Sequence, residues 1–242
     1  MNILTFDSDE KLNEAAANII VGQVQTIPRA VLGLATGGTP VGIYREIVRI
    51  YRRDMVSFRN TTTFNLDEYV HLPIDHPESY HSYMNVHLFS HIDLPESQRH
   101  IPNGNAADLE AECRRYDEAI ELAGQIDLQL LGLGHNGHIG FNEPAHALIK
   151  GTHIVELAEQ TREANARFFD SIDDVPKQAL TMGVGTILKA KKILLVVKGA
   201  DKADIIRQAL QGPITTDVPA SLLQTHPNLI VLLDSAAAGK LA

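Results

Sequence analysis

The chain has 242 residues, 44% hydrophobic and 21% charged, with 17 glycines and 11 prolines, which excludes collagen-like and low-complexity classes. Its 30 acids against 21 Lys and Arg leave a net charge of −9; such a surface repels phosphate backbones, no basic stripe is visible, and nucleic-acid partners are not expected. One cysteine, Cys113, excludes an intrachain disulfide and a zinc site built on several thiolates.

In chain order, Asn2–Phe6 reads as a strand, after which Asp7 and Glu10 make a capping box for a helix to about residue 25. Residues 30–35 (AVLGLA) form a buried-strand run, followed by Thr36-Gly37-Gly38-Thr39-Pro40 and a helix over 41–53. Residues 61–66 are β-branched and strand-like. Helices are expected over 79–91 and 108–123, with Cys113 packed inside the second. Residues 126–133 (IDLQLLGL) form a strand ending in a Gly-rich turn, 152–157 alternate as a strand does, and 161–169 read as a helix. A strand at Ile193–Val197, a helix over 200–210 and a strand at 229–233 complete the series.

About seven strands separated mostly by helices predict a single-domain α/β fold, with a mainly parallel sheet covered by helices on both faces. No linker or repeat divides the chain. The first ten residues lack a basic segment followed by an apolar stretch, and no apolar run approaches the ~20 residues of a membrane span. A cytoplasmic protein without a membrane partner is expected. The long irregular segment 134–151 stands out, because loops of that length in compact domains are usually functional or disordered. Ligands of open α/β sheets sit beyond the carboxyl ends of the strands, so the post-strand residues matter most.

Four such groups carry candidate chemistry. In Thr36-Gly37-Gly38-Thr39, glycines admit close approach of an anion, the helix start offers free amides, and two hydroxyls add donors. A plain strand-to-helix turn is the competing reading. No Gly-Lys-Ser/Thr follows, so this is not a Walker loop. In Asn65-Leu66-Asp67-Glu68-Tyr69, two adjacent acids at a strand end can place one carboxylate in a cleft as a base, or simply make a solvated turn.

The third group is GLGHNGHIGFNEP at 132–144. Gly132, Gly134 and Gly137 satisfy G-x-G-x-x-G, and Glu156 lies about 20 residues on. A dinucleotide site also needs a helix directly after the loop, and Gly140, Asn142 and Pro144 oppose one. What remains is a polar loop in which His138 and Glu143 suit proton transfer. His135 and His138 lack a third ligand, so no metal site is expected. The fourth group is cationic: Arg162, Arg167, and Lys202 at a predicted helix start, where the dipole disfavours a cation unless an anion sits between.

These stretches together resemble the glucosamine-6-phosphate deaminase family. The carrying motifs are LATGGTP (34–40), NLDEY (65–69), DHPESYHSYM (75–84), IPNGNA (101–106), GHNGHIGFNEP (134–144), TREANARFF (161–169) and VPKQALTMGVGTIL (175–188). The likeness runs from about residue 30 to 235. It implies cofactor-free conversion of D-glucosamine 6-phosphate and water into D-fructose 6-phosphate and ammonium, in amino-sugar catabolism. By resemblance, Asp67 carries a proton from C2 to C1. His138 helps open the sugar ring, with Glu143 and Asn136 as its partners. Thr36, Gly37, Gly38 and Thr39 hold the phosphate with Arg167 and Lys202, and residues 145–176 form a mobile lid.

Two departures from the family stand out. Some relatives carry an acid where Asn136 stands, and an amide cannot ionise; Asn136 then orients His138. Longer relatives bind N-acetylglucosamine 6-phosphate allosterically through basic lid residues and a C-terminal extension. His153 and Val155 stand at those lid positions here and the chain stops at Ala242, so weak or absent activation is expected. The resemblance leaves the oligomeric state open. A 6-phosphogluconolactonase, a dehydrogenase built on the three glycines, and a sugar-phosphate-binding regulator are the competing readings.

Overall fold

The computed structural model describes residues 1–241, with the side chains of all but Ala164 and Phe168; Ala242, where the sequence reading ends the chain, lies outside the described residues. The strands are β1 (Asn2–Phe6), β2 (Val31–Leu34), β3 (Thr62–Asn65), β4 (Asp67–Tyr69), β5 (Arg99–His100), β6 (Leu128–Leu131), β7 (His153–Glu156), β8 (Gln178–Thr181), β9 (Ile193–Val197) and β10 (Leu229–Asp234). The α-helices are α1 (Asp9–Thr26), α2 (Gly38–Tyr51), α3 (Tyr80–His87), α4 (Leu109–Leu122), α5 (Glu159–Asn165), α6 (Val184–Leu188) and α7 (Ala203–Gln211).

Seven strands form one sheet in the order β1-β10-β9-β6-β2-β3-β5, every neighbouring pair parallel. Its central strands β2, β6 and β9 are buried along their whole length. Their runs of Val, Leu and Ile follow from that, since a sheet covered on both faces has no solvent side to alternate toward. Only β1 at one edge is exposed over most of its residues. From β2 the chain moves one way to β3 and β5, then returns past β2 to β6 and continues to β9 and β10. The order reverses between β2 and β6, and in such sheets the ligand crevice opens at that switch point.

A second, antiparallel sheet runs β4-β8-β7. This corrects one expectation: residues 152–157 do form a strand, but it joins the small sheet, and the seventh place in the large one is taken by the two-residue β5. Strands β4 and β8 and helix α6 were not anticipated. The expected run over 61–66 ends at Asn65, and after Leu66 the chain changes sheets.

Helix ends also differ from expectation. The N-cap of α1 is Ser8, whose hydroxyl accepts from the Lys11 amide at 3.3 Å, while Asp7 instead pairs with Lys11 Nζ at 2.9 Å. The serine, one residue later, has the extended backbone a cap requires. Helix α2 begins at Gly38, within the Gly-Gly pair. The helix expected over 161–169 divides into α5 and a 3-10 turn at Ala166–Phe168, and the one expected over 200–210 into a 3-10 turn at Ala200–Lys202 and α7. Cys113 is buried in α4, and burial pushes its thiol up to about 11, the behaviour of a packing residue. No helix of the described residues is long and apolar enough to cross a membrane.

Candidate active site

A cleft of about 720 Å³ opens where β2 and β6 end. It is lined by Thr36, Gly37, Gly38, Thr39, Asp67, Asn136, His138, Arg167 and Lys202, which is every residue given a role by the family resemblance except Glu143.

The loop after β2 is shaped for an anion. Gly37 has φ 96° and ψ −171°, a conformation that side chains with a Cβ avoid. It caps α2 without any side-chain hydrogen bond, so the first-turn amides stay available to a ligand. Two tyrosines brace the loop: the Tyr44 hydroxyl donates to the Ala35 carbonyl at 2.5 Å, and the Tyr83 hydroxyl to the Gly37 carbonyl at 2.6 Å. Both were missed in the sequence, because nothing in the spacing links position 37 to position 83.

Strand β4 separates the two adjacent acids onto opposite faces, as a pleat does. Glu68 turns to α3: its carboxylate accepts from the backbone amides of Tyr69, Tyr80 and His81 and lies 3.0 Å from His81 Nδ1. His81 is half-buried in that contact. Asp67 turns to the cleft, 6% exposed, and no donor among the described residues reaches its carboxylate. Burial, and then the charge of Glu68, push its carboxyl up to about 8. Tyr80 and Phe141 line the same cleft and supply part of its apolar wall.

The segment from Gly134 to Gly151 carries no helix or strand, only an isolated bridge between Ile139 and Asn142. The helix that a dinucleotide fingerprint requires is not formed there, and Glu156 is an exposed residue bonded to Gln178. Within the loop, His138 Nδ1 lies 3.3 Å from Glu143 Oε2, leaving Nε2 as the nitrogen free for chemistry in the cleft. Asn136 joins the two: its amide donates to Glu143, and its oxygen accepts from the His138 amide at 3.2 Å. The Thr161 hydroxyl of α5 donates to the other oxygen of Glu143. Burial would raise the Glu143 carboxyl, but the hydrogen bond and charge of His138, with the Thr161 and Asn136 bonds, hold it at about 2. Glu143 thus stands behind His138 and does not line the cleft. Gly134 is required by packing, since a Cβ there would come within 2.3 Å of the His138 ring.

The cations complete the site. Lys202 sits on the 3-10 turn ahead of α7, and burial, then the charge of Arg167, lowers it to about 8 against the pull of Asp201. Arg162 lies apart, donating to the Ile172 carbonyl at 2.7 Å. His135 Nδ1 lies 3.5 Å from Asp201, and burial, then Lys202, lowers its pKa. Among the described residues no group of three or more His, Cys, Asp or Glu could hold a metal ion. The arrangement offers a poised carboxyl, an imidazole backed by a carboxylate, and an amide nest with two cations: proton transfer at one end and anion capture at the other.

A family model for glucosamine-6-phosphate isomerases/6-phosphogluconolactonase matches residues 7–231. The chain is 54% identical over 237 residues to a glucosamine-6-phosphate deaminase of Geobacillus sp. (strain WCH70), covering 98% of this chain and 94% of that one. It is similar to the solved structure of a monomeric glucosamine-6-phosphate deaminase, with TM-score 0.97, 52% identity and coverage of 99% of this chain and 100% of that one. A 6-phosphogluconolactonase from Trypanosoma brucei shares the fold, with TM-score 0.76 at 20% identity over 100% of this chain and 98% of that one.

Proposed function

The chain belongs to the glucosamine-6-phosphate isomerase/6-phosphogluconolactonase family, and from that premise we infer that it is a glucosamine-6-phosphate deaminase. It converts D-glucosamine 6-phosphate and water into D-fructose 6-phosphate and ammonium. One observation carries the reading: a donor-free buried carboxyl, a histidine–carboxylate pair and a glycine–threonine amide nest share one cleft.

We assign the roles as follows. The phosphate docks on Thr36, Gly37, Gly38 and Thr39, with Arg167 and Lys202 neutralising it. That group is remote from the reacting carbons, so its binding orients the open sugar without entering the chemistry. His138 passes a proton to the ring oxygen as the C1–O5 bond breaks, and Glu143, ionised throughout the neutral range, favours the imidazolium that must form. Asn136 and Thr161 fix Glu143. Asp67 takes the C2 proton and returns it at C1, leaving an imine at C2; water adds there and ammonium departs. A single base near two adjacent carbons suffices, and a carboxyl poised near 8 suits the task. The substrate ammonium arriving beside Asp67 favours its ionised form, so binding itself readies the base.

Residues 145–176 form the lid in this reading; they include α5, which carries Thr161, and Arg167. Activation by N-acetylglucosamine 6-phosphate is weak or absent in this reading, because His153 and Val155 stand where longer relatives carry basic lid residues. A sugar phosphate does not cross a bilayer unaided, so the enzyme works in the cytoplasm.

The test is ammonia release from glucosamine 6-phosphate, with fructose 6-phosphate measured beside it and 6-phosphogluconolactone as a parallel substrate. Equimolar ammonia and ketose are expected. Lactone hydrolysis without ammonia release would overturn the reading. His138→Gln is expected to slow the cyclic substrate more than an open-chain analogue, and equal slowing of both would remove the ring-opening role.

A further inference from the structure

Acids outnumber Lys and Arg by 30 to 21 in this chain, and many of its cations are paired with one: Lys11 with Asp7, Arg115 with Glu112, Lys191 with Asp127, Lys240 with Asp204. The groove between α2 and α3 departs from that pattern. A cavity of about 570 Å³ there is lined by Arg45, Arg49, Arg52, Arg53, His87 and His91, with Glu46 as its one acid. Glu46 is engaged by Arg49, whose Nε lies 2.5 Å from its carboxylate. The guanidinium groups of Arg45, Arg52 and Arg53 make no ion pair or hydrogen bond among the described residues, and all three are exposed.

The cluster escapes a linear reading of charge because it is assembled by helix geometry. Residues 45, 49 and 52 are spaced by four and three, so they share one face, and His87 and His91 come from a different part of the chain. Like charges at such spacing repel. The dipole of α2 favours Arg52 and Arg53 at its carboxyl end. It accounts neither for Arg45, two turns earlier, nor for the histidines. The local potential registers on His87, whose pKa is lowered by burial and then by the charges of Arg45 and His91. A concave site of this size, with unengaged guanidinium forks, matches the geometry by which arginines take up phosphate. At 1.5 Å per residue, Arg45 and Arg52 stand about 10 Å apart along the axis, a span for linked phosphates rather than one.

We propose that the α2–α3 groove is a second anion site, for a small molecule carrying two or more adjacent phosphate groups. It stands apart from the cleft and does not depend on the deaminase reading. The probe is inorganic tripolyphosphate, titrated calorimetrically into the full chain at fixed salt, with wild type, Arg45→Ala/Arg52→Ala and Lys202→Ala compared. The expected result is a saturable event, beside any in the cleft, that persists in Lys202→Ala and weakens about tenfold or more in the double variant. The double variant should turn over glucosamine 6-phosphate as wild type does. Should it fail to fold, Arg45→Gln alone reads the same loss on a smaller scale. The proposal is overturned if every event disappears in Lys202→Ala, which would place binding in the cleft, or if none responds to the arginine changes. Binding of a single-stranded oligonucleotide without binding of tripolyphosphate would also overturn it, in favour of a polymer.

Discussion

Asp67 and Glu143 are both shielded from water at the same cleft, and they sit at opposite ends of the carboxyl range, near 8 and near 2. Burial acts upward on both. The difference lies in donors. Three side chains, His138, Thr161 and Asn136, converge on Glu143, whereas none reaches Asp67. Asp67, more deeply buried and beside the charge of Glu68, is left to titrate, while hydrogen bonds and the charge of His138 outweigh burial at Glu143 and keep it a fixed charge. A reaction that needs both an imidazolium support and a mobile proton acceptor uses that division.

The largest effect expected breaks the comparison at its reactive end. Asp67→Asn should lower kcat by about a thousandfold or more, the scale of a lost positioned base, with sugar-phosphate binding retained. Steady-state assays and a product-binding titration check both parts. The same change should stabilise the protein at alkaline pH. The folded-state pKa of Asp67 is raised, so the stability linked to it is fully present in acid and is lost as pH rises from 3.8 through about 8. Melting curves should show Asp67→Asn above wild type at pH 8 and beyond, with the gap closing in acid.

Glu143→Gln attacks the other corner and should reduce kcat by about a hundredfold, checked in steady-state assays. Its pKa is lowered on folding, so its stabilising share is present above 4.5 and fades as pH falls toward about 2. Thr161→Val sharpens the contrast with a smaller step. Removing one of three donors should raise the Glu143 pKa and cost a few-fold in kcat. If Thr161→Val instead matched Glu143→Gln, the hydroxyl and not the ion would be the support of His138.

Lys202→Ala should raise KM by about tenfold with a lesser change in kcat, as expected of a phosphate anchor. Because Lys202 is lowered to about 8 in the empty site, kcat/KM should rise as Asp67 ionises and fall as Lys202 loses its charge, giving a narrow optimum near 8. Lys202→Arg, permanently charged, should remove the descending limb in a pH–rate series.

The parts of the fold held by long apolar runs were legible. Val31–Leu34, Leu128–Leu131 and Ile193–Val197 announce themselves because both faces are buried. Strand β5, two residues long, and strands β4 and β8 exist through their partners, and no local pattern could reveal them. The small sheet went unseen for that reason. In the site, Asp67, His138 and the glycine–threonine loop were visible because each follows a strand. The bonds that give them their properties were not: Thr161 lies 18 residues from Glu143, and Tyr83 lies 46 from Gly37. The arginine groove was hidden in the same way, by a face of α2 meeting histidines that follow it in the chain.

The change of sheets at Leu66 sets Asp67 opposite Thr181, and Thr181 opposite His153, in one row of the small sheet. The carboxyl proposed as the base is therefore indexed by main-chain pairing against β7, a strand of the proposed lid. A slip of β4 by a single position would rotate Glu68 toward the cleft and turn Asp67 to the face that Glu68 now occupies against α3. The choice between two neighbouring acids is made by this alignment, which works as a selector that neither acid carries in its own chemistry.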